Sequence, residues 1–209
     1  MKQTKRLTSW FDITLEQYIQ MINVGKLELD ELENLLELVK IVCGEEVEQL
    51  PLAEYKQMIN HINFLSTPIP DIKPKSKYII GGKEYVCDLD LSKITGSQYI
   101  DYSTYIKQND GVEGYPNLLS VFLVPKGCKY NDGTYDINEL KSNLPNMLFV
   151  DVKAIAFFLQ KQYKTLLAIT VDYSISVMKK MMKKETDQQK KIEIQNKIIE
   201  LQTHLHSMV

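Results

Sequence analysis

The fold class is decided by residues 151–184, which read DVKAIAFFLQKQYKTLLAITVDYSISVMKKMMKK. Apolar residues recur there every three or four positions, the spacing that places side chains on one face of an α-helix. The residues of this stripe are Val152, Ile155, Leu159, Leu166, Tyr173, Val177 and Met181. The pattern predicts one long helix of roughly 50 Å, at about 1.5 Å per residue.

The tail that follows, residues 186–206, is more polar and carries a second apolar repeat. Ile194, Ile198, Leu201 and Leu205 follow a 4-3-4 spacing, which is the seam of a short coiled coil. Two heptads are too few to establish a coiled coil. We therefore interpret the seam as a candidate face for docking on a partner or on another copy of the chain.

Residues 1–66 predict three helices with short connections, which favour antiparallel neighbours. Thr14 and Gln17 fit a capping box at the start of the first helix, and Gly25 fits a left-handed turn at its end. The second and third helices are expected at residues 29–43 and 52–65.

Three prolines then predict an extended strap and a boundary between subdomains. Pro68, Pro70 and Pro74 are too closely spaced for a helix. Together with the start of the long helix, the strap divides the chain into three expected segments. These are an N-terminal helical segment at 1–66, a hairpin with short helices at 67–150, and the long helix with its polar helical tail at 151–209.

A β-hairpin is predicted directly after the strap. Residues 78–80 and 84–87 favour strands, and Gly81 and Gly82 between them supply the positive φ angles of a tight turn. A lone hairpin is marginally stable, so it must pack on the helices or pair with another chain.

Short helices are predicted after the hairpin. Capping patterns begin at Thr95 and Asp136, and the apolar run 117–124 ends at Pro125. The expected fold is mainly α: a helical bundle with a small β-hairpin insertion and a long C-terminal helix.

Charge is unevenly distributed along the 209 residues, although the formal net charge is only −2. Acidic residues crowd residues 28–48, and lysines crowd residues 179–191. This asymmetry favours head-to-tail contact between copies. Arg6 is the only arginine. Because arginine is the preferred residue for phosphate and base recognition, nucleic-acid binding is possible but not favoured.

No residue pattern indicates catalysis, a cofactor or a metal. Asp88 and Asp90 form a DxD pair, but the same alternation is typical of a half-exposed strand. Cys43, Cys87 and Cys128 have neither disulfide-framework nor zinc spacing and are read as reduced thiols. The apolar run 154–171 is interrupted by polar residues, so no membrane span is expected. The sequence predicts no enzyme activity.

Two groups of residues are candidates for partner binding. Tyr99, Tyr102 and Tyr105 belong to a tyrosine-rich third of the chain, and tyrosine suits surfaces that become buried on assembly. Tyrosines at the margin of an ordinary hydrophobic core would give the same pattern. The second group is Lys179, Lys180, Lys183 and Lys184. These lysines fit a solvated helix end, a protein contact, or contact with nucleic acid or a membrane surface.

Three stretches carry a family resemblance: residues 82–91 (GKEYVCDLDL), 98–102 (QYIDY) and 118–127 (LLSVFLVPKG). In this order, followed by a helix with Ala154, Phe157 and Phe158, they resemble small assembly proteins of tailed bacteriophages. The similarity is greatest to tail-assembly chaperones, with head–tail connectors and other virion proteins next.

This resemblance implies a non-enzymatic role through protein contacts, in the host cytoplasm or the virion. The implied partners are other phage structural proteins and further copies of the chain. The alternative is a nucleic-acid-associated accessory protein that binds through the lysine-rich C-terminal helix.

Overall fold

A computed structural model describes residues 7–44, 50–108 and 111–208, and the fold is mainly α, as predicted. The helices are α1 Leu15–Val24, α2 Glu31–Cys43, α3 Leu52–His61, α4 Gly96–Gln108, α5 Tyr115–Ser120, α6 Ile137–Asn143, α7 Phe149–Lys184 and α8 Gln188–Met208. The strands are β1 Lys77–Ile80, β2 Lys83–Cys87 and β3 Leu123–Pro125. The chain forms two compact units, an N-terminal unit Met1–Ala156 and a C-terminal unit Phe157–Val209.

Capping boxes start α1 and α4 of the N-terminal unit where the sequence predicts them. Before α1, the amide of Gln17 donates to Thr14 Oγ1 at 3.2 Å, and the amide of Thr14 donates to Gln17 Oε1 at 3.1 Å. Before α4, Thr95 and Gln98 make the same reciprocal pair at 3.3 and 3.0 Å. Each box satisfies two amides that a helix N-terminus otherwise leaves unbonded.

Two predicted helix-end details are wrong. Gly25 has a φ of −64°, so α1 ends without the left-handed turn. Glu139 does not reach back to cap α6, because its carboxylate binds Lys83 Nζ at 2.6 Å. Asp136 caps α6 alone, by accepting the amide of Asn138 at 2.8 Å.

The predicted hairpin is present and belongs to a three-stranded antiparallel sheet, ordered β1-β2-β3. Gly81 and Gly82 have φ angles of 55° and 77°, as a two-residue hairpin turn requires. The third strand replaces the end of the helix predicted at 117–124: α5 stops at Ser120 and the chain extends along β2. This added strand stabilises an otherwise marginal hairpin, and Pro125 is tolerated because β3 lies at the sheet edge.

The proline strap is held on both sides. Trp10 Nε1 donates to the Thr67 carbonyl at 3.0 Å, and Lys153 Nζ donates to Asp71 Oδ1 at 2.7 Å. Lys75 Nζ lies 2.9 Å from the buried carboxylate of Asp151 in the first turn of α7. The residues on either side of the boundary predicted at 66 therefore belong to the same unit.

The C-terminal unit consists of α7 from Phe157 onward and α8, joined by residues 185–187. Asp187 starts α8 by accepting the amide of Gln189 at 2.8 Å. Val171 and Ile175 of α7 bury Ile198 of α8 between them, and Met178, Ile194 and Leu201 pack around this cluster. The two helices are thus an antiparallel pair. Within the described residues, no helix has an apolar stretch long enough to cross a membrane.

Candidate protein-binding surface

Three of the four predicted lysines line one open groove on α7. This lysine groove, of about 430 Å³, is lined by Asp172, Ile175, Ser176, Lys179, Lys180 and Lys183. Residues four apart on a helix are neighbours, so Lys179 and Lys183 lie on the same side of α7. Ile175 of the lining is itself buried in the α7–α8 contact, and Asp172 adds one carboxylate beside the three amines. The groove can hold an anionic group beside an apolar one.

Lysine side chains in this unit are not neutralised by the chain itself. Among the described residues, no lysine after Ala156 forms an ion pair. Lys184 is exposed at the end of α7, where the lysine charge complements the negative end of the helix dipole. Within the described residues, the three lysines of the groove are therefore not engaged in ion pairs.

Large apolar side chains are exposed on both helices. On α7, Ile169, Tyr173 and Met181 are 62, 71 and 56% exposed, and on α8 Ile192 and Ile199 are 55 and 52% exposed. Their spacings of four and seven residues place neighbours on shared helix faces. In the part of the helix pair whose side chains are described, the cluster between α7 and α8 buries three residues, fewer than these five. Such a surface is typical of an interaction site.

The sequence did not predict Ile192 and Ile199 as binding residues, and it predicted that the 4-3-4 seam of α8 binds a partner. The predicted partner-binding seam is used within the chain, where Ile198 is buried and Ile194 and Leu201 pack on α7. The short connection allows α8 to fold back and cover its own stripe. The side chain of Leu205 lies outside the described part of the structure. The sequence does contain a signal for Ile192 and Ile199, because both are isoleucines that lie outside the 4-3-4 stripe.

A second groove, of about 390 Å³, lies where the two helices join. Its lining residues are Met182, Lys183, Gln188, Lys191, Ile192 and Gln195. It shares Lys183 with the lysine groove and contains the exposed Ile192. Positive charge and apolar surface therefore continue around the end of the helix pair.

The tyrosine candidates divide between core and surface. Tyr102 has no exposed area, and its ring packs edge-on against Phe122 at 5.2 Å, so its use in partner binding is corrected to a core role. Lys141 Nζ lies 5.2 Å from the ring centre of the half-buried Tyr105. Tyr99 remains accessible, at 45% exposure beside Ile100 at 64%.

One further tyrosine ties the 126–136 loop to α4. The hydroxyl of Tyr130 donates to Asp101 Oδ2 at 2.7 Å. Burial, followed by the hydrogen bond and charge of Asp101, raises the pKa of Tyr130 well above its usual value. Tyr130 thus stays a neutral donor and serves to hold the loop.

The two carboxylates of the DxD pair shape a turn. Asp88 Oδ1 accepts the amide of Asp90 at 3.0 Å, and Asp90 accepts the Ser92 hydroxyl at 2.6 Å and pairs with Lys93 at 2.9 Å. The Ser92 and Lys93 hydrogen bonds lower the pKa of Asp90 to about 2. The described residues contain no group of three or more potential metal ligands.

The three stretches that carry the phage resemblance meet in one framework. Residues 82–91 and 118–127 contribute β2 and β3, with Cys87 opposite Leu123. From residues 98–102, the side chain of Gln98 donates to the Val121 carbonyl at 3.1 Å, and Tyr102 packs on Phe122. The three stretches are therefore in contact with one another in the fold.

Comparison of the chain with protein families, with characterised proteins and with solved structures finds no match.

Proposed function

We propose that this protein is a non-enzymatic assembly protein of a tailed bacteriophage, a tail-assembly chaperone or a virion component, that works by binding other proteins. The observation that carries the proposal is the surface of the α7–α8 pair, with its unpaired lysines and exposed apolar residues. Its partners are phage structural proteins or further copies of the chain, in the host cytoplasm or the virion.

Among the described residues, the α7–α8 seam buries Val171, Ile175 and Ile198, and each fully buried aliphatic side chain contributes about 1.5–3 kcal/mol. Covering Tyr173, Ile192 and Ile199 with a partner removes further apolar surface from water. Apolar residues that the isolated chain exposes to water would become buried in an assembly.

The phage assignment is supported by the resemblance of the middle segment. Its three stretches build the β2–β3 and α4 framework, so the resemblance concerns the scaffold that the N-terminal unit provides. In this proposal the C-terminal unit supplies the lysine groove and the exposed apolar residues that a partner contacts.

Co-expression with the virion proteins encoded beside its gene tests this proposal. We expect at least one of them to co-purify, and expect Lys179→Glu, Lys180→Glu, Lys183→Glu and Lys184→Glu together to weaken the complex in a salt-sensitive way. The matched control is Lys161→Glu with Lys164→Glu, two exposed lysines of the same helix. Neither partner binding nor self-association by the native protein would contradict the proposal.

A second candidate function is nucleic-acid association, favoured by the same unpaired lysines at the end of α7. Phosphate binding releases counterions, so its affinity must fall steeply with salt. Titration of labelled DNA and RNA at 50 and 200 mM salt discriminates the two functions. Tight binding that weakens by a factor of about 10³ or more indicates six or more phosphate contacts and favours this candidate.

A further inference from the structure

We infer that the lysine groove binds an acidic corner of a second copy of the chain, so that copies associate head to tail. The acidic corner is residues 27–33, where the chain passes from α1 into α2. The inference rests on the proposed function, because it names a partner for the same α7–α8 surface.

The acidic corner presents apolar and negative groups side by side. Leu27 and Leu32 are 56 and 68% exposed. Glu28 and Glu31 are exposed beside them. The exposed carboxylates of Glu28 and Glu31 are complementary in charge to the three amines of the lysine groove.

The corner is held in one conformation by its own capping box. Asp30 Oδ1 accepts the amide of Glu33 at 2.8 Å, and Glu33 Oε2 accepts the amide of Asp30 at 3.1 Å. These two carboxylates are occupied, which leaves Glu28 and Glu31 for a partner. A fixed corner loses less conformational entropy on binding than a flexible one.

Charge decides which part of a second copy fits the groove. From Phe157 onward the sequence has nine lysines and five acidic residues, a net charge of +4. Since the whole chain carries −2, the preceding residues carry −6. Two lysine grooves repel each other, whereas the lysine groove and the acidic corner attract.

The groove supplies the matching contacts. Lys179, Lys180 and Lys183 line it together with Asp172 and Ser176, so amines outnumber carboxylates by three to one among the lining side chains. In the inferred contact, Glu28 and Glu31 of a second copy face these three amines. The chain itself makes no ion pair with these lysines among the described residues, so an incoming carboxylate displaces no existing bond.

A contact between two different surfaces leaves one groove and one corner free at the two ends of an open assembly. Copies therefore add until a ring closes, or continue as an open chain. The mass in solution should rise with concentration and should fall when salt screens the attraction.

Light scattering of the full chain with charge-reversed variants tests the inference. The corner variant is Glu28→Lys with Glu31→Lys, and the groove variant is Lys179→Glu with Lys183→Glu. The capping pair of α2 stays intact in both. The matched controls are Glu16→Lys with Glu54→Lys, exposed acids in first helical turns like Glu31, and Lys161→Glu with Lys164→Glu on α7.

We expect each test variant alone to weaken association at least tenfold, and both controls to associate like the native chain. An equimolar mixture of the corner and groove variants should regain association, because the reversed corner is positive and the reversed groove is negative. Circular dichroism confirms that the variants are folded.

A native chain that stays monomeric at about 24 kDa up to high concentration would overturn the inference. So would equal weakening by the controls, or a mixture that fails to regain association. If the monomeric chain still co-purifies with a neighbouring virion protein, the proposed function stands and only the self-contact is wrong.

Discussion

The two units of the chain differ in how many of their lysines form ion pairs and in how their large apolar residues divide between core and surface. In the described part of the N-terminal unit eight lysines form ion pairs at 2.6–3.4 Å: Lys26, Lys40, Lys75, Lys77, Lys83, Lys93, Lys126 and Lys153. In the described part of the C-terminal unit no lysine does. The first unit buries large side chains such as Tyr102, Phe122 and Leu119, while the second exposes more large apolar residues than it buries in its seam.

The two units thus differ in which groups stabilise their own fold and which groups remain accessible to a partner. Pairing between charges and burial of apolar groups stabilise a unit by itself. Groups left unpaired and exposed are available to a partner, and both kinds lie close together on the α7–α8 pair. This difference is the reason why we propose the α7–α8 pair as a contact surface.

The largest expected effect is on the core of the N-terminal unit. Phe122→Ala removes a side chain that is 1% exposed and packs on Tyr102. We expect the free energy of unfolding to fall by about 3–5 kcal/mol, measured by denaturant titration. Ile79→Ala, at a strand residue 71% exposed, is the control and should change it by less than about 0.5 kcal/mol. Similar losses from both would mean that this unit is not built around the described core.

A substitution in the α7–α8 seam should destabilise the helix pair and leave the N-terminal unit unaffected. Ile198→Ala is expected to lower the stability of the helix pair by about 2–4 kcal/mol, since Ile198 is the buried residue of α8 in the seam. Its neighbour Ile199 is 52% exposed, so Ile199→Ala is a control of identical chemistry. Hydrogen exchange resolves the two units. Faster exchange in α8 alone is the expected result, and equal effects from both substitutions would speak against the seam.

Alkaline pH should weaken the N-terminal unit. Burial raises the pKa of the Cys87 thiol to about 12. An unfolded chain loses this proton near pH 8.5, so the unfolded state binds fewer protons above that pH and stability falls as pH rises. We expect a loss of about 1–2 kcal/mol between pH 8 and 10.

The matched variants for this pH effect are Cys87→Ala and Cys128→Ala. The pH slope of the free energy of unfolding should flatten in Cys87→Ala. It should persist in Cys128→Ala, because Cys128 is only half-buried. A slope unchanged by Cys87→Ala would assign the alkaline loss to other groups, such as Tyr78, whose pKa burial also raises.

Local sequence signals predicted much of the framework. The capping residues Thr14 and Thr95, the glycine turn at 81–82 and the apolar stripe of α7 each determine structure within a few residues. β3 could not be found this way. Residues 121–125 are an apolar run that fits a buried helix or a strand equally well, and pairing with the distant β2 decides between them.

The candidate surface was predicted only in part for the same reason. Periodicity tells which residues share a helix face, but not what covers that face. The 4-3-4 stripe of α8 was therefore assigned to a partner, although α7 covers Ile198. The sequence also marked the lysines as candidates, but the groove that Lys179, Lys180 and Lys183 line appears only in the folded structure.

The most direct test of the account exchanges exposed isoleucines for serine in each unit and measures partner binding. One variant carries Ile192→Ser and Ile199→Ser in α8, and the other carries Ile79→Ser and Ile100→Ser in the N-terminal unit; these residues are 52–71% exposed. Binding is read as co-purification with the neighbouring virion proteins and as mass in solution. The account predicts at least tenfold weaker association for the α8 variant and native behaviour for the other. Loss of association in the N-terminal variant alone would contradict it and place the contact surface on the N-terminal unit.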